Sequence, residues 1–196
     1  KDAVPSPDNV SELTGFNLNW SLEKTVMEVK ITDREHPITA NLTDEDNQEF
    51  STDYCERGDD QSCISKAAPE FFIDDPDAEI LGINPNTGRA AFGVKDFGNW
   101  KSVYIACPLV PKNVIRGILR YAGLTQTLDS DDALYTNGDI IGIRAKKAGT
   151  KKITLQEEFI LENLRKGETI CSSNEEVILP MEYGETFIGR ISKLNP

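Results

Sequence analysis

The chain contains no apolar run approaching the ~20 residues that a membrane-crossing helix needs, and no basic-then-apolar leader pattern opens it. No membrane partner is therefore expected. Histidine is nearly absent: His36 is the only one. None of the four cysteines, Cys55, Cys63, Cys107 and Cys171, forms a Cys-x-x-Cys pair, so a zinc site lacks its usual ligands. A Ser-His-Asp or Cys-His set would have to use His36, which precedes Pro37 in a polar stretch expected to be exposed. No Gly-x-Ser-x-Gly elbow accompanies any serine. The glycines at 82 and 88, and at 138 and 142, lack the strand–loop–helix order of a phosphate-binding loop. No catalytic residue, metal or cofactor is assigned from these absences, and His36 reads as the start of a His-Pro turn.

What is present is acid. The 196 residues carry a net charge of −12, unevenly spread. Residues 1–80 hold 20 Asp/Glu against 6 Lys/Arg, whereas residues 81–196 hold 13 against 15. An acidic half repels phosphate, so nucleic acid is not an expected partner. The opening KDAVPSPDN reads as a linker or a cut end, and residues 1–24 as poorly ordered. Cys55 and Cys63 bracket the polar loop ERGDDQS and suit a short disulfide in an oxidising compartment. Cys107, in SVYIACPLV, reads as an inert core thiol. Asn9, Asn19 and Asn41 head Asn-x-Ser/Thr sequons, which matter only in a eukaryotic secretory pathway.

Periodicity then sets the elements. Met27, Val29 and Ile31 alternate along a half-buried strand over 25–32. Short strands are predicted at 71–73, 78–83, 89–95 and 102–107, with Asn84-Pro85-Asn86-Thr87-Gly88 as a turn. Pro111 opens a helix over 111–122. Val114, Ile115, Ile118, Leu119 and Ala122 form its apolar stripe, and Gly123 is the stop. Beyond it, turn signals separate short β-branched segments, with Asn137-Gly138 as a two-residue hairpin loop. Regular turns between short strands predict a small β-sandwich-like domain.

Three groups carry chemistry worth testing. Acidic clusters occur at Asp74/Asp75/Asp77 and Asp129/Asp131/Asp132, and glycoside hydrolysis requires a carboxylate pair. Both clusters lie beside turn residues, where acids usually cap and solvate. Lys146, Lys147, Lys151 and Lys152 gather near a hairpin tip, either to meet an acidic partner or to protect a sheet edge. Trp20, Trp100 and Asn99 are the candidate carbohydrate or partner contacts, since aromatic faces stack on sugars. The alternative, that Trp100 plugs the core where a strand begins, is favoured at this level.

Several stretches share their order with a known family. They are ITDREHPIT at Ile31–Thr39, FFIDDPDAEILG at Phe71–Gly82, FGNWKSVYIACPLVP at Phe97–Pro111, IRGILRYAGL at Ile115–Leu124, and DSDDALYTNGDIIGIRAKKAGTKKITL at Asp129–Leu155. Together they resemble the C-terminal region of bacterial β-galactosidase-like glycoside hydrolases. In such proteins the catalytic acids sit in an upstream (β/α)₈ barrel, followed by an amidotransferase-like (trimerisation) domain and a small β domain. The chain is too short to hold that barrel, which takes ~200 residues or more. The resemblance implies an α+β, mostly β chain: a linker at 1–24, a partial amidotransferase-like α/β unit at 25–126 carrying the one clear helix, and a small all-β domain at 127–196. It implies a non-catalytic ancillary or assembly region whose partners are its own upstream catalytic domain or identical subunits. The alternatives are a carbohydrate-binding module using an exposed tryptophan, and a stand-alone glycosidase using an Asp pair. A bacterial source is implied, without separating secreted or periplasmic from cytoplasmic.

Overall fold

The computed structural model describes residues 6–42, 49–51 and 66–194. Cys55 and Cys63, the cysteines expected to pair, lie outside the described residues. The chain is mostly β with short helices, and it divides into two compact units, Lys1–Ala122 and Gly123–Pro196. The boundary thus falls after Ala122 rather than after residue 126. Gly123, at φ 74°, follows the end of the second helix, and Leu128 is already buried in the second unit's core.

From Ser6 onward the first unit has defined structure where a linker was expected. Helix α1 (Pro7–Thr14) has Ser6 as its N-cap, whose hydroxyl accepts from the Asp8 amide, and Pro7 in the first turn. Gly15 ends it at φ 77° and donates to the Ser11 carbonyl. Strand β1 (Leu18–Ser21) follows and pairs with β4 (Glu70–Ile73). The remaining strands of this sheet are β2 (Glu28–Ile31), β3 (Glu49–Ser51), β5 (Glu79–Ile83), β6 (Ala90–Asp96) and β7 (Lys101–Ile105). They run in the order β1-β4-β6-β5-β2-β3, with β7 also on β6.

Every described pairing in this sheet is antiparallel. The expected α+β, mostly β class is thus met, with antiparallel strands in this unit. Parallel neighbours need crossover connections of a dozen or more residues. The links at Asp74–Ala78, Asn84–Arg89 and Phe97–Trp100 are too short for that and return the chain directly.

Helix α2 (Lys112–Tyr121) packs through Val114 and Gly117, not through the whole expected stripe. Ile115 and Leu119 are 46% and 39% exposed. The reason is Gly117: a Cβ there would collide with the Ile38 backbone carbonyl, so the helix lies flush on the segment after His36. Val114, Ile38 and Leu42 join Val29, Ile31, Leu81, Phe92, Val94 and Cys107 in one core. A second, smaller core gathers Phe16, Leu18 and Ile73 with Val10 of α1 against Tyr104. Full burial of a side chain such as Phe92 contributes ~1.5–3 kcal/mol.

The second unit contains two antiparallel sheets. One orders β12 (Thr169–Cys171), β11 (Phe159–Asn163), β14 (Thr186–Lys193), β9 (Ile140–Arg144) and β8 (Ala133–Thr136). The other pairs β10 (Gly149–Thr154) with β13 (Glu176–Met181). Ile141, Ile143, Phe159, Leu161 and Phe187 from the first meet Ile153, Val177, Leu179 and Met181 from the second in one core. The β8–β9 loop closes one residue later than expected. Asn137 donates to the Ile140 carbonyl, so Gly138-Asp139 are the loop residues, with Gly138 at φ 100°. Gly in the first loop position is the type II′ choice.

Candidate functional site

The same loop chemistry builds the candidate site at the β6–β7 tip. The Phe97 amide donates to the Trp100 carbonyl at 2.9 Å, leaving Gly98-Asn99 as a two-residue loop with Gly98 at φ 86°. Asp96 accepts from the Gly98 amide at 2.7 Å and pairs with Lys101 across the hairpin at 2.7 Å. The loop is thereby pinned at both its backbone and its flanks. Phe97 and Trp100 are brought together by that closure. Their rings lie 4.1 Å apart and 4° from parallel.

Phe97 in turn rests against the α1–β1 junction, where Gly15 makes room. A Cβ at 15 would lie 2.5 Å from Phe97 Cζ. The Lys95 ammonium sits 5.4 Å from the Phe97 ring and 2.6 Å from Asp75. Trp100 is the outer member of this stack and is 49% exposed, with Asn99 exposed beside it. It therefore does not fill the core, as the sequence reading had favoured. A rigidly backed, half-open indole is a surface on which a pyranose ring can stack. Trp20 is placed elsewhere, half-buried on β1 and stacked on Phe71 at 6.0 Å. The tryptophans make no ring contact with each other.

On the flank of the hairpin, Lys101 donates to the Tyr121 hydroxyl at 2.9 Å and lies 4.9 Å from its ring. Hydrogen bonds to Asp96 and then Tyr121 push the Lys101 pKa up, and Lys101 and the Gly98 amide lower that of Asp96. Tyr121 packs on His36 with ring centroids 4.9 Å apart. His36 is buried, contrary to the exposed position expected. Its Nδ1 accepts from the Ile38 amide, and its carbonyl accepts from Thr39 and Ala40, so it does form a turn. Its Nε2 lies 3.8 Å from Glu79, and among the described residues no serine hydroxyl or cysteine thiol is bonded to it.

The acidic clusters are anchored rather than poised. Burial alone would raise the Asp75 pKa, but Lys95 and the Asn17 and Asp77 amides together hold it below the ordinary carboxylate value. Burial likewise opposes ionisation of Asp132, yet Lys151 at 2.7 Å, the Ser130 hydroxyl and the Lys146 amide bring it to about 2. A general acid needs the opposite shift. Two of the hairpin lysines are also committed: Lys151 is buried on Asp132, and Lys152 pairs with Glu176. The Cys107 thiol is buried, and burial raises its pKa, so it remains protonated. Among the described residues, no group of three or more His, Cys, Asp or Glu is placed to hold a metal.

Sequence reasoning singled out Trp100 and Asn99 but missed Phe97, Asp96, Lys101 and Tyr121. The available signal was an aromatic on each side of Gly-Asn. That pattern marks a two-residue hairpin loop whose flanking residues face each other.

No family model and no curated protein matches this chain. Among solved structures, the crystal structure of β-galactosidase from Bacillus circulans sp. alkalophilus is similar over 93% of this chain and 25% of that one. The TM-score is 0.50 and the identity 15%. The chain thus spans a quarter of the length of that enzyme, and the likeness is one of fold.

Proposed function

We propose that this chain is a non-catalytic, ancillary region of a glycoside-hydrolase-like protein and that it contacts carbohydrate through Trp100. The observation that carries the reading is the backed indole: Trp100, half exposed, lying flat on Phe97 at a pinned two-residue loop. The buried carboxylates Asp75 and Asp132 are held ionised by lysines, which disfavours a stand-alone Asp-pair glycosidase. The fold shared with part of a β-galactosidase supports a glycoside-hydrolase setting. The C-terminal placement within such a protein is part of the proposal.

Tryptophan fluorescence titrated with galacto-oligosaccharides tests it. A saturable change is expected. Trp100→Ala should weaken binding by tenfold or more, since truncating a hot-spot tryptophan costs about 2 kcal/mol or more. No response to a panel of neutral glycans, or glycoside turnover by this chain that Asp75→Asn abolishes, would refute the reading.

An assembly role has a separate supporting observation, the exposed Ile115 and Leu119 on α2. Sedimentation at high concentration decides it. A strict monomer that Leu119→Asp leaves unchanged, with no affinity for an upstream catalytic domain, removes that role.

A further inference from the structure

The second unit carries a cleft of about 390 Å³ that none of the preceding chemistry uses. It is lined by Arg144, Asn163, Arg165, Lys166 and the Gly184–Phe187 segment. Its volume falls in the range of small-ligand sites. Its charge is unexpected, because residues 123–196 hold 12 Asp/Glu against 9 Lys/Arg, yet three cations converge here.

These cations are placed by structure. Arg144 ends β9, and its guanidinium donates to the Thr186 hydroxyl at 3.0 Å, which fixes the side chain across the sheet. Arg165 and Lys166 sit on a turn pinned by Asn163, whose side-chain oxygen accepts from both of their amides at 3.0 and 3.2 Å. The Gly167 amide closes the same turn onto the Asn163 carbonyl. No described carboxylate pairs with Arg144, Arg165 or Lys166. Glu185 lines the cleft, but its carboxylate accepts from the Glu182 amide at 2.8 Å, within its own turn. Elsewhere in this unit Lys151, Lys152, Arg190 and Lys193 all have acidic partners. Besides Lys146 and Lys147, the cations at the cleft are the ones in this unit with no described acidic partner.

A second cavity of about 350 Å³ adjoins through Arg144 and Gly184 and adds Lys146 and Tyr183. Tyr183 is 80% exposed, an uncovered aromatic face beside the basic cluster. Gly184, at φ 73°, carries no side chain to screen Arg144, and even a Cβ there would lie 3.7 Å from the guanidinium. A planar guanidinium with free donors matches a carboxylate or sulfate oxygen pair, and the adjacent phenol offers a ring to stack on.

We infer that this cleft binds an anionic saccharide, with its carboxylate or sulfate group on Arg144, Arg165 and Lys166 and a sugar face on Tyr183. The saccharide class rests on the glycan reading above, but the site is independent of Trp100. The test is calorimetric titration of the full chain with oligogalacturonate, with a sulfated galactan oligosaccharide, with a neutral galacto-oligosaccharide and with inorganic sulfate. At least one acidic oligosaccharide should bind, more weakly as salt rises. Arg165→Gln and Lys166→Gln should each lower that affinity by about tenfold, as loss of a charge-assisted contact does. Both side chains point from a turn held by Asn163, so the variants keep the fold. Tyr183→Ala should weaken the oligosaccharide and leave inorganic sulfate unaffected. Which acidic sugar binds separates the carboxylate source from the sulfate source. Binding neither, or binding the neutral sugar equally well in the Arg165→Gln variant, overturns the inference. Inorganic sulfate binding as tightly as the sulfated sugar overturns the saccharide assignment. Trp100→Ala should leave this titration unchanged, so failure of the Trp100 reading and failure of this one give different results.

Discussion

Replacing Gly117 by alanine should destabilise the first unit, although alanine is the better helix former by ~1 kcal/mol. The added Cβ would enter the space of the Ile38 carbonyl oxygen and lie 3.0 Å from Ile38 C and 3.2 Å from its Cα. All three atoms belong to the backbone, so no side chain can swing aside. Either α2 or the segment after His36 must retreat by about an ångström to recover ordinary contact. Overpacking of this kind costs ~1–3 kcal/mol. The retreat also opens the interface around Val114, fully buried on the same helix face. A gap of ~0.5–1 Å forfeits a quarter to a half of each contact's attraction. Against a burial contribution of ~1.5–3 kcal/mol for valine, that is ~0.5–1.5 kcal/mol more. After subtracting the propensity gain, the net loss is ~2 kcal/mol.

The assay follows from where the tryptophans are. Trp20 and Trp100 are the only two and both lie in the first unit, so tryptophan fluorescence during urea unfolding reports that unit selectively. With a urea slope of ~1–3 kcal/mol per molar, the midpoint should fall by about 1 M. Arg120→Ala, an exposed position on the same helix, should change stability by no more than ~0.5 kcal/mol. A Gly117→Ala midpoint equal to or above the parent's would refute the close approach, because helix propensity alone would then be acting.

Leu81, fully buried beneath α2's core, should cost ~2–5 kcal/mol as Leu81→Ala by the same fluorescence assay, whereas Leu13→Ala, 85% exposed, should be near neutral. Gly15→Ala should destabilise the first unit and disturb the Trp100 emission, because it both strains a φ of 77° and presses on Phe97. The Asp132 carboxyl, at about 2 when folded against ~3.9 unfolded, contributes stability that is complete above the unfolded value and is lost as pH falls through the folded one. Hydrogen exchange of the β9 and β11 amides should therefore show ~2 kcal/mol lost between about pH 4 and pH 2. Asp132→Asn should abolish that dependence while costing ~3–5 kcal/mol at neutral pH, since Lys151 is left buried without its counter-charge. A variant with the parent's acid profile would refute the assignment.

Most strands were readable because alternation and turn residues act locally. The strands expected at 78–83, 89–95 and 102–107 lie within two residues of Glu79–Ile83, Ala90–Asp96 and Lys101–Ile105. Helix α1 was also encoded locally: Ser6 ahead of Pro7, Asp8 in the first turn and Gly15 at the end form a complete start and stop. It was passed over because its apolar content is too low for periodicity to show. Its stability comes from Val10 against a sheet face that sequence proximity does not reveal. The reading of α2 failed for the complementary reason. Its apolar stripe is real, but Gly117 sets which face approaches the sheet, and only the distant Ile38 backbone makes that choice necessary.

The surfaces assigned to ligands follow the same rule. Trp100 was visible as a residue type, while its exposure depends on Phe97 being lodged over Gly15, a contact that joins residues far apart in the chain. The basic cleft was invisible in sequence because Arg144 ends β9 while Arg165 and Lys166 sit on the turn after β11, and the acidic average of their unit conceals them. The lysine cluster that was conspicuous in sequence, by contrast, is half consumed by Asp132 and Glu176. A cation's availability to a ligand is set by which carboxylates the fold has left within reach. Composition and spacing do not carry that information, so the functional charge of this chain had to be read from its ion pairs.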